Sequence, residues 1–205
     1  MYKRQHVNYK QRYRTKQARF WASSYEDKRP ELTNAQRKML SHYDNATLYN
    51  DSIVAQIVKR FQKQDAIVIY VPDHGEECYE ENRGFICRNH SAEIDWPLAH
   101  YEFEIPFWIY CSPKYIRNHR DIYRQIRKAK DKRFMTDALP HLLLYLAGIE
   151  TPTYKEEYNI LSPKYDEMRP RILKNSADYD KLRDAHLEKI KKEESKKVKK
   201  KERRN

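Results

Sequence analysis

Glycine is scarce in this chain, three residues in 205, and no Gly-rich phosphate loop, Walker motif or dinucleotide fingerprint occurs. The nucleotide-binding classes built on those loops are thereby excluded. Cysteine is scarce too. Cys78, Cys87 and Cys111 are too few for a disulfide framework and lack zinc-knuckle spacing, although Cys78 and Cys87 flank an expected loop and are candidates for pairing in an oxidising compartment. No apolar run approaches the roughly 18 residues of a membrane span. The first 20 residues lack the apolar core of a signal peptide, and no internal repeat is present.

What the chain has in abundance is charge, 35% of its residues, with a mean hydropathy of -1.09. Residues 1–20 hold seven Lys or Arg and no acid, and residues 181–205 hold twelve against five acids. Each end therefore carries +7, and the formal +12 of the whole leaves residues 21–180 at -2. The length suits one sizeable core, so residues 1–180 are expected as one domain and 181–205 as a basic tail. Basic ends suit nucleic acid or anionic lipid heads. A near-neutral middle disfavours a nucleic-acid-binding protein, and the Lys-rich tail is expected to be solvated, either as a fraying helix or as a disordered segment.

The most informative stretch is DAIVIYVPDHGEE, Asp65 to Glu77. Its apolar, β-branched run Ala66 to Val71 predicts a buried strand. Asp73 and His74 then emerge together at the strand's C-terminal end, where an open α/β sheet keeps its ligands. Adjacent Asp and His side chains can reach one metal ion if the backbone turns tightly, and Gly75 permits such a turn. Pro, Asp and Gly also favour simple turns, so a plain turn is the competing reading.

Upstream, residues 22–34 are expected as loop. Thr33 or Asn34 can cap a helix to about His42, and a second helical pattern runs from Ala46 to Phe61. The second one's stripe, including Leu48, Ile53, Ile57 and Phe61, should cover one face of the sheet. Downstream, Cys78 to Glu104 shows little periodicity and contains Arg83, His90 and His100. A loop of that length is usually functional or disordered, and its place after the Asp-His pair favours function. Ile105 to Tyr110 predicts a second strand, Ile116 to Lys130 a basic amphipathic helix, and Leu139 to Ala147 an apolar helix with Thr136 or Asp137 as cap, Pro140 in its first turn and Gly148 at its end. His141 is expected to pack rather than ligate. Arg169 and Arg171 suit either a phosphate or nearby acids.

Five blocks together carry a resemblance: YDNATLYNDSIVAQIVKRF, IVIYVPDHGEE, FEIPFWIYCSPKY, TDALPHLLLYLAGI and YNILSPKYDEMRPR. In order and spacing they resemble the C-terminal part of the phosphoethanolamine transferases, in the sulfatase branch of the alkaline phosphatase superfamily, over roughly His6 to Arg171. The resemblance implies an α/β three-layer sandwich of the alkaline phosphatase and sulfatase kind. It implies zinc as cofactor, a phospholipid donor (phosphatidylethanolamine), a lipid A or lipopolysaccharide-core acceptor, and a phosphorylated threonine intermediate. A bacterial inner-membrane enzyme with its catalytic domain in the periplasm is the implied setting, anchored by an N-terminal membrane domain, and no nucleic acid partner is expected.

Residue by residue, the resemblance places Asp73 and His74 on zinc. It matches His6, Tyr9, Arg12 and Tyr13 to a family segment whose histidine lies near the substrate phosphate or a second zinc. It gives His90, or alternatively His100, a similar role, and Glu76 and Glu77 suit partners for the histidines. The family's first carboxylate ligand and threonine nucleophile lie upstream of the segment matching His6. The expectation is therefore a catalytic-domain fragment, inactive as it stands. Competing readings are a sibling activity of the superfamily, such as a sulfatase or a glycerol-phosphate transferase, and a non-catalytic remnant.

Overall fold

The computed structural model describes residues 8–87 and 93–202, so the positions of His6 and His90 lie outside the described residues. The chain divides into two compact units, one of residues up to 68 with 110–115, the other of residues 69–109 with 116 onward.

The first unit is organised on one long helix. Short 3₁₀ turns at Tyr9–Gln11, Thr15–Gln17 and Ala22–Tyr25 lead into α1, Asn34–Phe61. Thr33 caps it in a capping box: Gln36 N donates to Thr33 Oγ1 at 3.3 Å, and Thr33 N donates to Gln36 Oε1 at 2.7 Å. Two expected helices are thus one, because no Gly or Pro interrupts His42 to Ala46 and Asn45 is used inside the helix. Asn45 is buried, accepting from Arg19 N and Phe20 N at 2.7 and 3.1 Å and donating to Phe20 O at 2.8 Å. A buried amide satisfied in this way fixes the entry segment to the helix. The stripe expected to cover a sheet behaves differently. Leu48, Ile53, Ile57 and Phe61 are all exposed.

Strand β1 spans Ile67–Tyr70. It is half-buried rather than fully buried and, among the described residues, pairs with β4, Trp108–Cys111, in a two-stranded sheet. Ser112 N donates to Ala66 O at 3.0 Å, while Tyr70 stacks on Trp108 at 5.2 Å, the order of an antiparallel pair. Ser112 is buried, and its hydroxyl donates to Gln64 O at 2.6 Å.

In the second unit, the stretch expected to be structureless holds small elements. Strands β2, Glu77–Cys78, and β3, Phe85–Cys87, pair antiparallel around a bulge. A short helix α2, Trp96–Leu98, follows with Asp95 as N-cap and runs into a π-helical turn, Ala99–Phe103. Strand β4 is Trp108–Cys111. The expected basic helix is split into α3, Pro113–Asn118, and α4, Arg120–Ala129, because His119 leaves helical geometry with ψ 51°. After a 3₁₀ turn at Thr136–Ala138 comes α5, Leu139–Ala147, closed by Gly148 at φ 66°. Neither Thr136 nor Asp137 makes the expected cap. Asp137 instead pairs Arg169.

Strands β5, Ile172–Leu173, and β6, Ala177–Asp178, form a hairpin that leads into α6, Tyr179–Glu202. One apolar cluster centres on Leu142 of α5 with Ala129, Ile160 and Leu161. Leu142 has no exposed surface, a burial that contributes about 2 kcal/mol. A second cluster joins Ile94, Leu98, Ala99, Leu173 and Tyr179, with Trp96 and Leu182 packed against it. The first turn of α6 is thus part of this core, and the basic tail proper lies beyond it.

Candidate functional site: the Asp73-His74 corner

The chain leaves β1 through Pro72 into Asp73, His74 and Gly75. Gly75 N donates to Glu102 O at 2.8 Å, which brings the π-helical turn directly against the corner. A Cβ on Gly75 would stand 2.2 Å from Tyr101 O. Glycine is needed here for that close approach of two backbones.

The approach also sets the imidazole. His74 Nδ1 lies 2.6 Å from Gly75 O, and since a carbonyl only accepts, Nδ1 carries the proton. In the neutral ring the lone pair is then on Nε2, which lies 3.5 Å from Asp73 Oδ2. Two ligands of a tetrahedral zinc, each about 2.0–2.1 Å from the ion, are separated by about 3.4 Å. The oxygen and nitrogen therefore fit one edge of a zinc tetrahedron, with the backbone bond to Nδ1 in the usual orienting role. Asp73 is 78% exposed and His74 16%, an acceptor pair open on the carboxylate side. Among the described residues no group of three or more His, Cys, Asp or Glu is placed to hold a metal. The corner brings two donor atoms together.

Glu77 is not joined to this pair. It is fully buried and faces Arg83, with Nε to Oε1 at 2.6 Å, and Arg83 also bonds Asp95. Burial pushes the Glu77 carboxyl up, against the pull of the Arg83 charge. Burial also acts to raise Asp95, but the bonds from Arg83 and from Leu98 N, the latter at 3.0 Å, hold it below the usual range. Asp95 thereby caps α2 and anchors Arg83 at once. Asp-Trp-Pro is an N-cap followed by a first-turn proline, the one sequence signal that marks this cluster.

His100 stacks on Trp96 at 5.4 Å and places Nδ1 2.9 Å from Glu104 Oε1. Trp96 in turn stacks on His186 of α6. Glu104 also accepts from Tyr179, whose hydroxyl is pushed up to about 12, mainly by burial. In the first unit, Tyr9 is buried edge-on against Tyr43 at 5.2 Å, Arg12 is exposed, and the Tyr13 hydroxyl meets His42 Nδ1 at 2.8 Å. His141 packs between Tyr154 and Tyr158 and accepts from Lys155 N, as expected of a packing histidine. Arg169 grips Asp137 through two bonds of 2.6 and 2.8 Å, and Arg171 grips Asp180. Both arginines thus take the nearby acids.

The sulfatase family profile matches residues 1–149. The chain belongs to the sulfatase family, and its architecture of mixed helices and small sheets is of that α/β type. Within that family it is similar to the phosphoethanolamine transferases. It is 31% identical over 165 residues to phosphoethanolamine transferase EptC of Escherichia coli O18:K1:H7, covering 79% of this chain and 27% of that protein. It is 31% identical over 131 residues to Kdo(2)-lipid A phosphoethanolamine 7''-transferase of Escherichia coli K12, covering 62% and 22%. The C-terminal periplasmic domain of EptC from Escherichia coli, solved in complex with Zn, superposes with a TM-score of 0.67 at 28% identity, covering 86% of this chain and 49% of that one. The chain spans about half of that solved domain and about a quarter of the EptC relative. Among the described residues no helix is long and apolar enough to cross a membrane.

Proposed function

We propose that this chain supplies the Asp-His portion of the zinc site of a phosphoethanolamine transferase. The enzyme would move phosphoethanolamine from phosphatidylethanolamine to lipid A or the lipopolysaccharide core, on the periplasmic side of the inner membrane. The carrying observation is the corner itself: Asp73 Oδ2 and His74 Nε2 at 3.5 Å, with Nδ1 held by Gly75 O. Zinc, when bound there, supplies Lewis acidity for a hydroxyl nucleophile and for the phosphoryl oxygens.

The chain's own residues then have distinct tasks. Gly75 O fixes the His74 tautomer, and the Glu102 carbonyl fixes Gly75. By the resemblance, His6, Tyr9 and Arg12, with His90 or alternatively His100, would contact the substrate phosphate. The threonine nucleophile and the remaining ligands would come from parts of such enzymes that this chain does not span, with a phosphothreonine as intermediate.

The test is a chimera of Escherichia coli EptC in which residues 8–173 of this chain replace the matching segment. Transfer from labelled phosphatidylethanolamine is expected, with zinc bound. Asp73→Ala should abolish transfer and lower zinc content, and unchanged zinc stoichiometry in that variant would overturn the ligand assignment. Release of inorganic sulfate from a sulfate ester, without phosphoethanolamine transfer, would instead assign a sibling activity of the family.

A further inference from the structure

Helix α6 lies beyond residues 1–149, which the family profile matches, yet it reaches the corner through a short run of contacts inside the second unit. The intermediary is α2 with the π-helical turn that follows it, Trp96 to Phe103. Three helical residues and one π turn are too short to keep their geometry unaided, so packing must hold them.

One side of this segment is the backbone that meets the corner. Glu102 O accepts from Gly75 N at 2.8 Å, and Tyr101 O fills the space that a Cβ on residue 75 would need. Gly75 O in turn lies 2.6 Å from His74 Nδ1. The other side is buried against the C-terminal elements. Leu98 and Ala99 have no exposed surface and share a cluster with Leu173 and Tyr179, on which Leu182 packs. Trp96 stacks with His186 of α6 at 5.1 Å and with His100 at 5.4 Å, and the His100 ring lies 4.8 Å from that of Tyr101. The Tyr179 hydroxyl donates to Glu104, the residue that ends the π turn and also meets His100 Nδ1 at 2.9 Å. Asp180 fastens the same turn of α6 to Arg133 and Arg171, so the helix stays attached when a contact of Tyr179 or His186 is removed.

We propose that α6 braces the corner, with Tyr179 and His186 as positioning residues that act through Glu104, His100 and Trp96 on the carbonyls of Tyr101 and Glu102. Removing either contact frees one face of a segment that has no long hydrogen-bond ladder of its own to resist. Its carbonyls then shift against Gly75, and the Gly75 N–H opens to water more often. His74 Nδ1 loses its fixed acceptor, and the neutral ring divides between two tautomers. Nε2 is then an acceptor for only part of the time. The consequence for transfer rests on the transferase reading above, whereas the bracing itself does not.

The experiment follows the full 205-residue chain, isotopically labelled and in the presence of chelator, by NMR at a pH above the titration range of imidazole. The readouts are amide exchange at Gly75 and the ring-nitrogen shifts of His74, which distinguish one tautomer from a mixture. The parent chain should show a protected Gly75 amide and the Nδ1–H tautomer. His186→Ala should speed Gly75 exchange about tenfold and move the His74 shifts towards a mixture. Circular dichroism, and exchange at Leu142 in the other apolar cluster, should match the parent. Tyr179→Phe, which removes only the hydroxyl, should act in the same direction severalfold. His186→Phe keeps an aromatic ring against Trp96 and should restore both readouts, while Leu187→Ala, at an exposed site on α6, should change neither. Unchanged Gly75 exchange and His74 shifts in both His186→Ala and Tyr179→Phe would overturn the proposal. Equal acceleration at Gly75 and Leu142 would overturn it too, since that marks a loss of overall stability, as would failure of His186→Phe to restore the readouts. Neither readout needs zinc or turnover, so absent transfer in the chimera with this coupling intact would count against the transferase reading alone.

Discussion

Asp73 and Glu77 are carboxylates four residues apart on one turn of chain, and they sit in opposite worlds. Asp73 is 78% exposed beside a histidine whose Nε2 faces it, whereas Glu77 has no exposed surface and answers to Arg83. An acid that keeps its solvent can exchange water for a metal. A buried acid must have its charge matched by the fold itself. Exposure, more than residue type, separates the acid at the corner from the one that holds the hairpin.

The sharpest way to break this contrast is to remove each acid's purpose in turn. Asp73→Ala should leave the melting temperature of the chain nearly unchanged, yet lower transfer in the EptC chimera roughly a thousandfold, about 4 kcal/mol of transition-state stabilisation. A large melting shift with retained transfer would invert the assignment. Arg83→Met strands the Glu77 carboxylate in the interior and should destabilise the second unit by about 3 kcal/mol or more, read from urea unfolding. Adding Glu77→Leu to that variant should recover most of the loss. If the double variant is no better than the single, Glu77 is not the group that Arg83 serves.

Gly75→Ala tests the hinge that keeps the two acids apart. Its Cβ would meet backbone, which cannot move as a side-chain tip does, so the turn at Tyr101 and Glu102 must shift. A cost of about 1–3 kcal/mol is expected, together with weaker zinc binding because Gly75 O would no longer hold His74 Nδ1. Unaltered zinc affinity in this variant would show that the tautomer is set by something else.

How much of this could be read from residues alone varies with the kind of signal. The shape of the corner was legible because its strand, turn, Asp73 and His74 are contiguous, and the α5 helix because its apolar run carries its own stop at Gly148. The join of two expected helices into α1 was hidden, since Asn45 looks like a break until Phe20 and Arg19 are seen to satisfy it. The stripe of Leu48, Ile53, Ile57 and Phe61 was read correctly as apolar and wrongly as covered. Periodicity reports that a face is apolar, not what lies over it. The Glu77, Arg83 and Asp95 cluster is local in sequence but carries no signal beyond the Asp95 cap, whereas the pairing of Arg133 with Asp180 was out of reach because its partners come from distant parts of the sequence.

The smallest expected effect is in pH, and its sign separates the buried acid from the paired ones. The folded-state pKa of Glu77 is raised by burial. Folded chains therefore hold its proton where unfolded chains release it, and stability from this group is present below its ordinary value of 4.5 and lost as pH rises through the raised one. Asp137 and Asp180 run the other way. Arg169 and Arg171 hold them below the ordinary 3.8, so their contribution is present above that value and lost as pH falls through the lowered ones. Unfolding free energy measured downward from pH 7 should rise slightly as Glu77 takes its proton and then fall below about pH 4 as the aspartates are neutralised. Glu77→Gln should erase the upper slope and leave the acid limb intact. Arg171→Gln should flatten the acid limb and leave the upper slope. A Glu77→Gln chain with an unchanged upper slope would mean that the buried carboxylate is matched by Arg83 closely enough to titrate like an ordinary surface acid.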